Sequence, residues 1–109
     1  MVIGVPFEYE FNLVKGDRTT RTIEYLADGE SVDLSDVIFS WWFRSRGAQV
    51  VASTSNGKIT LTDEGYVSLV LDDSDTALLD GRGRHFLKII HPFVRTLLEG
   101  EVIVYDPIG

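Results

Sequence analysis

The sequence predicts an all-β fold, an antiparallel two-layer β-sandwich of about eight strands with one short helical turn. Runs rich in Val, Ile, Phe, Tyr, Trp and Thr recur between Gly, Asp, Asn and Ser clusters at the spacing of a sandwich, and no long helical period competes with them. At 109 residues, 44% hydrophobic and 25% charged, the chain has material for one core and length for one domain. A single sandwich over 1–109 is expected.

Each element has its own signal. Phe7, Tyr9, Phe11 and Leu13 alternate with Glu8, Glu10 and Asn12, which gives a first strand an apolar inward face and an acidic outward one. After a Lys15-Gly16-Asp17 turn, Thr20 to Leu26 sets Ile23 and Tyr25 against Thr22 and Glu24, and these two strands are expected to pair as a hairpin. Residues 27–36 are polar except for Val32 and Leu34, and read as a long connection crossing between sheets and pinned by those two side chains. Val37 to Phe43 is apolar at both parities, so the strand is central or one of its faces meets a partner. Ala48 to Ala52, then Ile59 to Leu61 after Asn56-Gly57, then Tyr66 to Leu71 after Asp63-Glu64-Gly65, each fit a short antiparallel strand.

Asp72 to Leu79 is the helix-like piece, about one turn long, with acids where the helix dipole favours them. Gly81-Arg82-Gly83-Arg84 reads as a turn. Arg84 to Ile90 and Phe93 to Leu98 read as a hairpin around His91-Pro92, because proline has no amide hydrogen for a ladder. Gly100 is expected to mark a bulge before Val102 to Tyr105 completes the last strand.

Composition excludes several functions. Ten Lys+Arg against 17 Asp+Glu leave a net charge of −7, which repels phosphate backbones and anionic lipid surfaces, so neither nucleic acid nor membrane is an expected partner. There is no cysteine, hence no thiolate nucleophile, thiolate metal site or disulfide framework. Met1 to Pro6 lacks the basic start and apolar run of a signal peptide, and the expected site of synthesis is the cytoplasm.

His85 and His91 share strand parity, but six residues at roughly 3.3 Å each hold them about 20 Å apart, too far for one ion. They read as polar residues at the ends of a strand. The acids at 72, 73, 75 and 80 lack the glycine and the twelfth-position Glu of a calcium loop and read as a capped turn. Gly81-Arg82-Gly83-Arg84 is no dinucleotide fingerprint, and no nucleophile elbow, phosphate loop or zinc-protease motif occurs. No enzyme, metal or cofactor is expected.

Two features point instead to a surface. Trp41 and Trp42 occupy adjacent positions and must face opposite sides of a strand, so one core layer cannot hold both. The parity shared with Ser40 and Arg44 is the more polar, which assigns Trp41 to the core and Trp42 outward. Arginine doublets at 18/21, 44/46 and 82/84 stand in an otherwise acidic chain, and a guanidinium suits bidentate contact with a partner's carboxylates. The candidate interface residues are Trp42, Arg44 and Arg46.

The order of motifs also resembles the N-terminal domain of baseplate upper proteins of tailed phages. The matching residues are Asp28-Gly29-Glu30-Ser31-Val32-Asp33-Leu34-Ser35, Gly65-Tyr66-Val67, Asp75-Thr76, Gly83-Arg84-His85-Phe86, and Thr96-Leu97-Leu98-Glu99-Gly100-Glu101-Val102-Ile103-Val104. The resemblance implies an immunoglobulin-like sandwich located in a virion, working without catalysis or cofactor and contacting other virion proteins, as a homo-oligomer or assembled ring. In that family the module precedes long C-terminal regions, whereas this sequence stops at Gly109, which points to a tail, baseplate or head-completion component.

Two rival readings stay open. Leu71 to Ala77 resembles the Asp-Thr-Ala turn of immunoglobulin-type recognition domains, with a strand tryptophan upstream but without the cysteine pair or the tyrosine after the turn. A carbohydrate-binding module would use Trp42 and Tyr66 as stacking platforms.

Overall fold

The computed structural model describes residues 7–27, 30–31, 34, 36–62, 65–91 and 93–107. The strands are β1 (Phe7–Glu8), β2 (Phe11–Val14), β3 (Thr19–Glu24), β4 (Leu26–Ala27), β5 (Glu30–Ser31), β6 (Ile38–Ser45), β7 (Ala48–Ser53), β8 (Ile59–Leu61), β9 (Tyr66–Leu71), β10 (Gly81–His91) and β11 (Arg95–Tyr105). Among the described residues the one α-helix, α1, is Asp73–Ala77. The large sheet runs β1-β11-β10-β6-β7 with β2 also on β11, the second sheet runs β3-β9-β8, and β4 with β5 forms a small ribbon. Phe11, Phe39, Trp41, Phe43, Leu69 and Leu87 are among the residues fully buried in the core.

The order of the strands is that of a variable-type immunoglobulin sandwich. In that fold one sheet joins the C, F and G strands with an added C′, and the other holds B, E and D. Here β6, β10, β11 and β7 fill the first set, and β3, β9 and β8 fill the second.

The expected first hairpin does not form. The chain from Phe7 to Leu13 breaks into β1 and β2, both parallel to β11, whereas β3 pairs antiparallel with β9 in the opposite sheet. The Lys15-Gly16-Asp17 turn thus carries the chain between layers. A distant side chain fixes it there: the buried Thr76 hydroxyl donates to the Asp17 carbonyl at 2.8 Å and accepts from the Gly16 amide at 3.1 Å. Asn56-Gly57 is a second crossing between layers. The Asn56 side chain donates to the Val51 carbonyl and accepts from the Ser53 and Lys58 amides, while β7 and β8 lie in different sheets.

α1 is the expected single turn. Asp72 accepts from the Asp75 amide at 3.0 Å and Asp75 accepts from the Asp72 amide at 3.1 Å, a reciprocal capping box. Lys58 closes the group with a 2.6 Å bond to Asp75.

Two expectations near the end of the chain change. Gly81 to Arg84 is not a turn but the first third of β10, paired with Val104 to Glu101 on β11. Gly100 pairs regularly with His85, and the β10–β11 irregularity lies instead at Leu87/Lys88, where Leu97 is skipped. The glycines are explained by close packing: a Cβ at Gly83 or Gly100 would lie 1.8 Å or 2.2 Å from the Arg44 or Tyr9 carbonyl oxygen. Leu34 is buried as expected of a pinning residue. Val32, Asp63, Glu64 and Pro92 lie outside the described residues.

Candidate interaction face

The pleat of β6 separates the two tryptophans as their parity requires. Phe39, Trp41, Phe43 and Ser45 point into the core, and Ser40, Trp42 and Arg44 point to the outer face of the large sheet. The Trp42 indole is half-buried there, between its cross-strand partners Val51 on β7 and Phe86 on β10, with the Lys88 ammonium 5.7 Å from its ring. Such a ring has an apolar body and a polar tip, the form enriched at binding hot spots.

Register brings two of the three arginine doublets together. Arg44 is the direct cross-strand partner of Arg84, Arg46 sits in the β6–β7 turn at φ 44, and Arg82 lies two residues beyond Arg84 on β10. The four side chains rim a shallow concavity of about 540 Å³ that reaches Gln49 and Phe86. Arg82 pairs with Glu101 at 3.2 Å and Arg44 donates to the Gln49 side chain at 2.7 Å. Among the described residues no carboxylate lies within 4 Å of Arg44, Arg46 or Arg84. The remaining doublet is elsewhere: Arg21 lies 4.9 Å over the Phe11 ring and donates to the Asn12 carbonyl.

The sequence offers Trp42, Arg44 and Arg46 as candidates, and the register sets Phe86, Arg82 and Arg84 beside them. The even parity of Arg82, Arg84, Phe86 and Lys88 carries that signal, which a turn over Gly81 to Arg84 would conceal. A second apolar group also went unread: Ile38, Ile90, Phe93 and Val94 are exposed around the β10–β11 connection.

His85 corrects another expectation. It lies in the middle of β10 and is fully buried, not at a solvated strand end. The Trp41 indole, which can only donate, gives its proton to Nδ1 at 3.1 Å, so Nε2 carries the hydrogen and donates to the Tyr9 carbonyl. Both ring nitrogens are thereby used and the ring is held neutral. In antibody domains the strand-C tryptophan packs on an inter-sheet disulfide; here Trp41 packs on Phe11, Phe43 and His85.

Burial pushes the His85 imidazole below its ordinary value of 6.5, against the opposing pull of the Tyr9 carbonyl. Because the unfolded chain takes up the proton first, stability rises with pH across this window and falls as pH drops below 6.5 toward the depressed folded value. The urea midpoint is therefore expected to fall between about pH 7.5 and about pH 5.5, and His85→Gln should flatten that slope. An equal slope in the variant would assign the effect to other groups. Asp72, held down to about 2 by the Ser74 hydroxyl and then the Asp75 amide, contributes above its ordinary 3.8 and loses that contribution only as pH falls below it.

Among the described residues no group of three or more His, Asp or Glu side chains is placed to hold a metal ion. Trp42 and Tyr66 face away from each other, on the outer sides of different sheets, so they cannot form one stacking platform.

No protein-family model and no curated protein sequence matches the chain. Solved structures do. The extracellular domain of the voltage-gated sodium channel beta4 subunit, described as a parallel homodimer with a role in cell-cell adhesion, aligns with a TM-score of 0.53 at 12% identity over 97% of this chain and 98% of that one. A structure of voltage-gated sodium channel beta subunits, studied for multimeric cell-adhesive interactions, aligns with a TM-score of 0.50 at 12% identity over 100% and 99%. The fold is an immunoglobulin-like β-sandwich.

Proposed function

We propose that this immunoglobulin-like domain is a non-catalytic recognition module that associates with protein through the outer face of its large sheet, with Trp42 at the centre and Arg44 and Arg46 on the rim. It is read as one sandwich unit over 1–109 that needs no cofactor. The observation that carries the proposal is the half-buried Trp42 indole flanked by Val51 and Phe86 on a face no other element of the described fold covers. The adhesive assemblies described for the sodium channel beta subunits support the same class of activity on the same fold.

Trp42→Ala tests this. Folding should change by no more than about 1 kcal/mol, because the ring is outside the core, while association weakens by about 2 kcal/mol or more. Sedimentation velocity and a urea melt read the two effects separately. Unchanged association would refute the use of this face.

A virion component is the finer reading, motivated by the motif order. Two of its glycines, Gly83 and Gly100, and its Asp75-Thr76 pair are demands of the sandwich itself, through backbone clearance and the staple on the first crossing turn. The likeness therefore supports the fold more than the setting. Mass spectrometry of purified phage particles from a host carrying the gene would test the setting, and absence from particles would remove it.

A further inference from the structure

The outer face is bipolar, and its two poles fit each other. One row of Cα partners crosses the sheet as Val51, Trp42, Phe86, Glu99 and Glu8. From the Trp42–Phe86 pair, the arginines of β6 and β10 extend along the strands, with Arg44 and Arg84 two residues away and Arg46 and Arg82 four away. From the same pair, the glutamates extend across the strands onto β11 and β1. At about 3.4 Å per residue and about 4.8 Å per strand, the arginine arm is centred roughly 10 Å from the pair in one direction and the glutamate arm roughly 10 Å away at right angles.

We propose, on the reading that this face is the interface, that its occupant is a second copy of this chain, related by a two-fold axis lying in the interface along the bisector of the two arms. Such an axis lays the arginine arm of each copy on the Glu8 and Glu99 arm of the other and brings Trp42 and Phe86 against their own counterparts. The contact is isologous and closed, and the large sheets cross at about 90°.

Two observations select this occupant. Arg44 directly opposite Arg84 is a like-charge cross-strand pair; Glu101 is the other cross-strand partner of Arg84 but its carboxylate goes to Arg82, and none lies within 4 Å of Arg44 or Arg84 among the described residues. Glu8 and Glu99 are likewise direct partners of one sign. Apposing the poles relieves both repulsions at once. With a net charge of −7, two copies repel in orientations that do not bring arginine to glutamate, so the poles set the register as well as the affinity.

The experiment is a charge exchange followed by sedimentation, with urea melts confirming that each variant is folded. Wild type should dimerise, and raising salt from about 50 to about 500 mM should weaken the dimer about tenfold or more. Arg44→Glu with Arg84→Glu should be monomeric, as should Glu8→Arg with Glu99→Arg. An equimolar mixture of the two folded variants should recover a one-to-one dimer, because the exchanged charges at 44 and 84 then again meet charges of opposite sign at 8 and 99.

A wild type that stays monomeric to about 1 mM overturns the second-copy inference. A dimer that Trp42→Ala dissociates but that the mixed variants do not re-form overturns the inference and leaves the docking reading standing. A dimer that survives Trp42→Ala overturns the docking reading itself.

Discussion

Trp41→Ala is expected to cost about 3 to 5 kcal/mol, a large share of the roughly 5 to 15 kcal/mol that holds a domain of this kind folded. The indole meets the edge of Phe11 at 5.6 Å and 87°, stacks on Phe43 at 5.7 Å and 21°, and donates to buried His85 at 3.1 Å. Truncation empties the middle of the core and leaves Nδ1 of His85 without its donor. The two losses separate by substitution. Trp41→Phe keeps most of the volume and removes the donor alone, so it should cost about 1 to 3 kcal/mol, the penalty of an orphaned buried acceptor. Combining Trp41→Phe with His85→Leu should cost less than the sum of the single changes, because no ring nitrogen then remains to be satisfied. Urea melts with a common m-value provide the comparison, and a Trp41→Ala variant within about 1 kcal/mol of wild type would show that the core does not depend on this ring.

The division between Trp41 and Trp42 was legible in the sequence because a pleat forces adjacent side chains to opposite faces whatever the strand pairs with. Ser40 and Arg44 then named the outward side. For the same reason the inward set of β9, Val67, Leu69 and Leu71, follows from alternation alone.

Pairing is a different kind of information. The turn at Lys15 to Asp17 looks locally like a hairpin turn, but β3 pairs with β9 in the other sheet and the turn itself is tied to a hydroxyl on Thr76, some 60 residues away. His85 misled in the same way. A histidine between Arg84 and Phe86 has no local reason to be buried, and the two groups that satisfy it, the Trp41 indole and the Tyr9 carbonyl, arrive from two other segments of the chain.

The face was half legible: its apolar centre followed from parity on β6. Its arginine pole needed the β6–β10 register, which places Arg84 beside Arg44 and which spacing along the chain does not encode.

That register rests on Gly83, and Gly83→Ala is expected to be the most damaging single-methyl substitution in the large sheet. A Cβ there would stand 1.8 Å from the Arg44 carbonyl oxygen and 2.8 Å from both the Arg44 carbonyl carbon and the Ser45 Cβ. These are mainly backbone atoms of the paired strand, so no rotamer change relieves the clash. β10 would have to move off β6 by roughly 1 Å or more, in an interior packed too tightly to absorb it. The shift would loosen the Gly83–Ser45 pairing and the 2.9 Å bond from the Asp80 amide to the Ser45 hydroxyl, and with them the cross-strand placement of Arg44 and Arg84. A loss on the order of 4 kcal/mol or more follows, enough to leave little folded protein. Gly57→Ala is the control that isolates this cause. Gly57 has φ 80 with open space around it, so its alanine carries conformational strain of about 1 kcal/mol without a collision. Soluble yield and urea midpoints should therefore rank wild type above Gly57→Ala and both far above Gly83→Ala; a Gly83→Ala midpoint equal to that of Gly57→Ala would mean that the two strands do not approach as closely as the register requires.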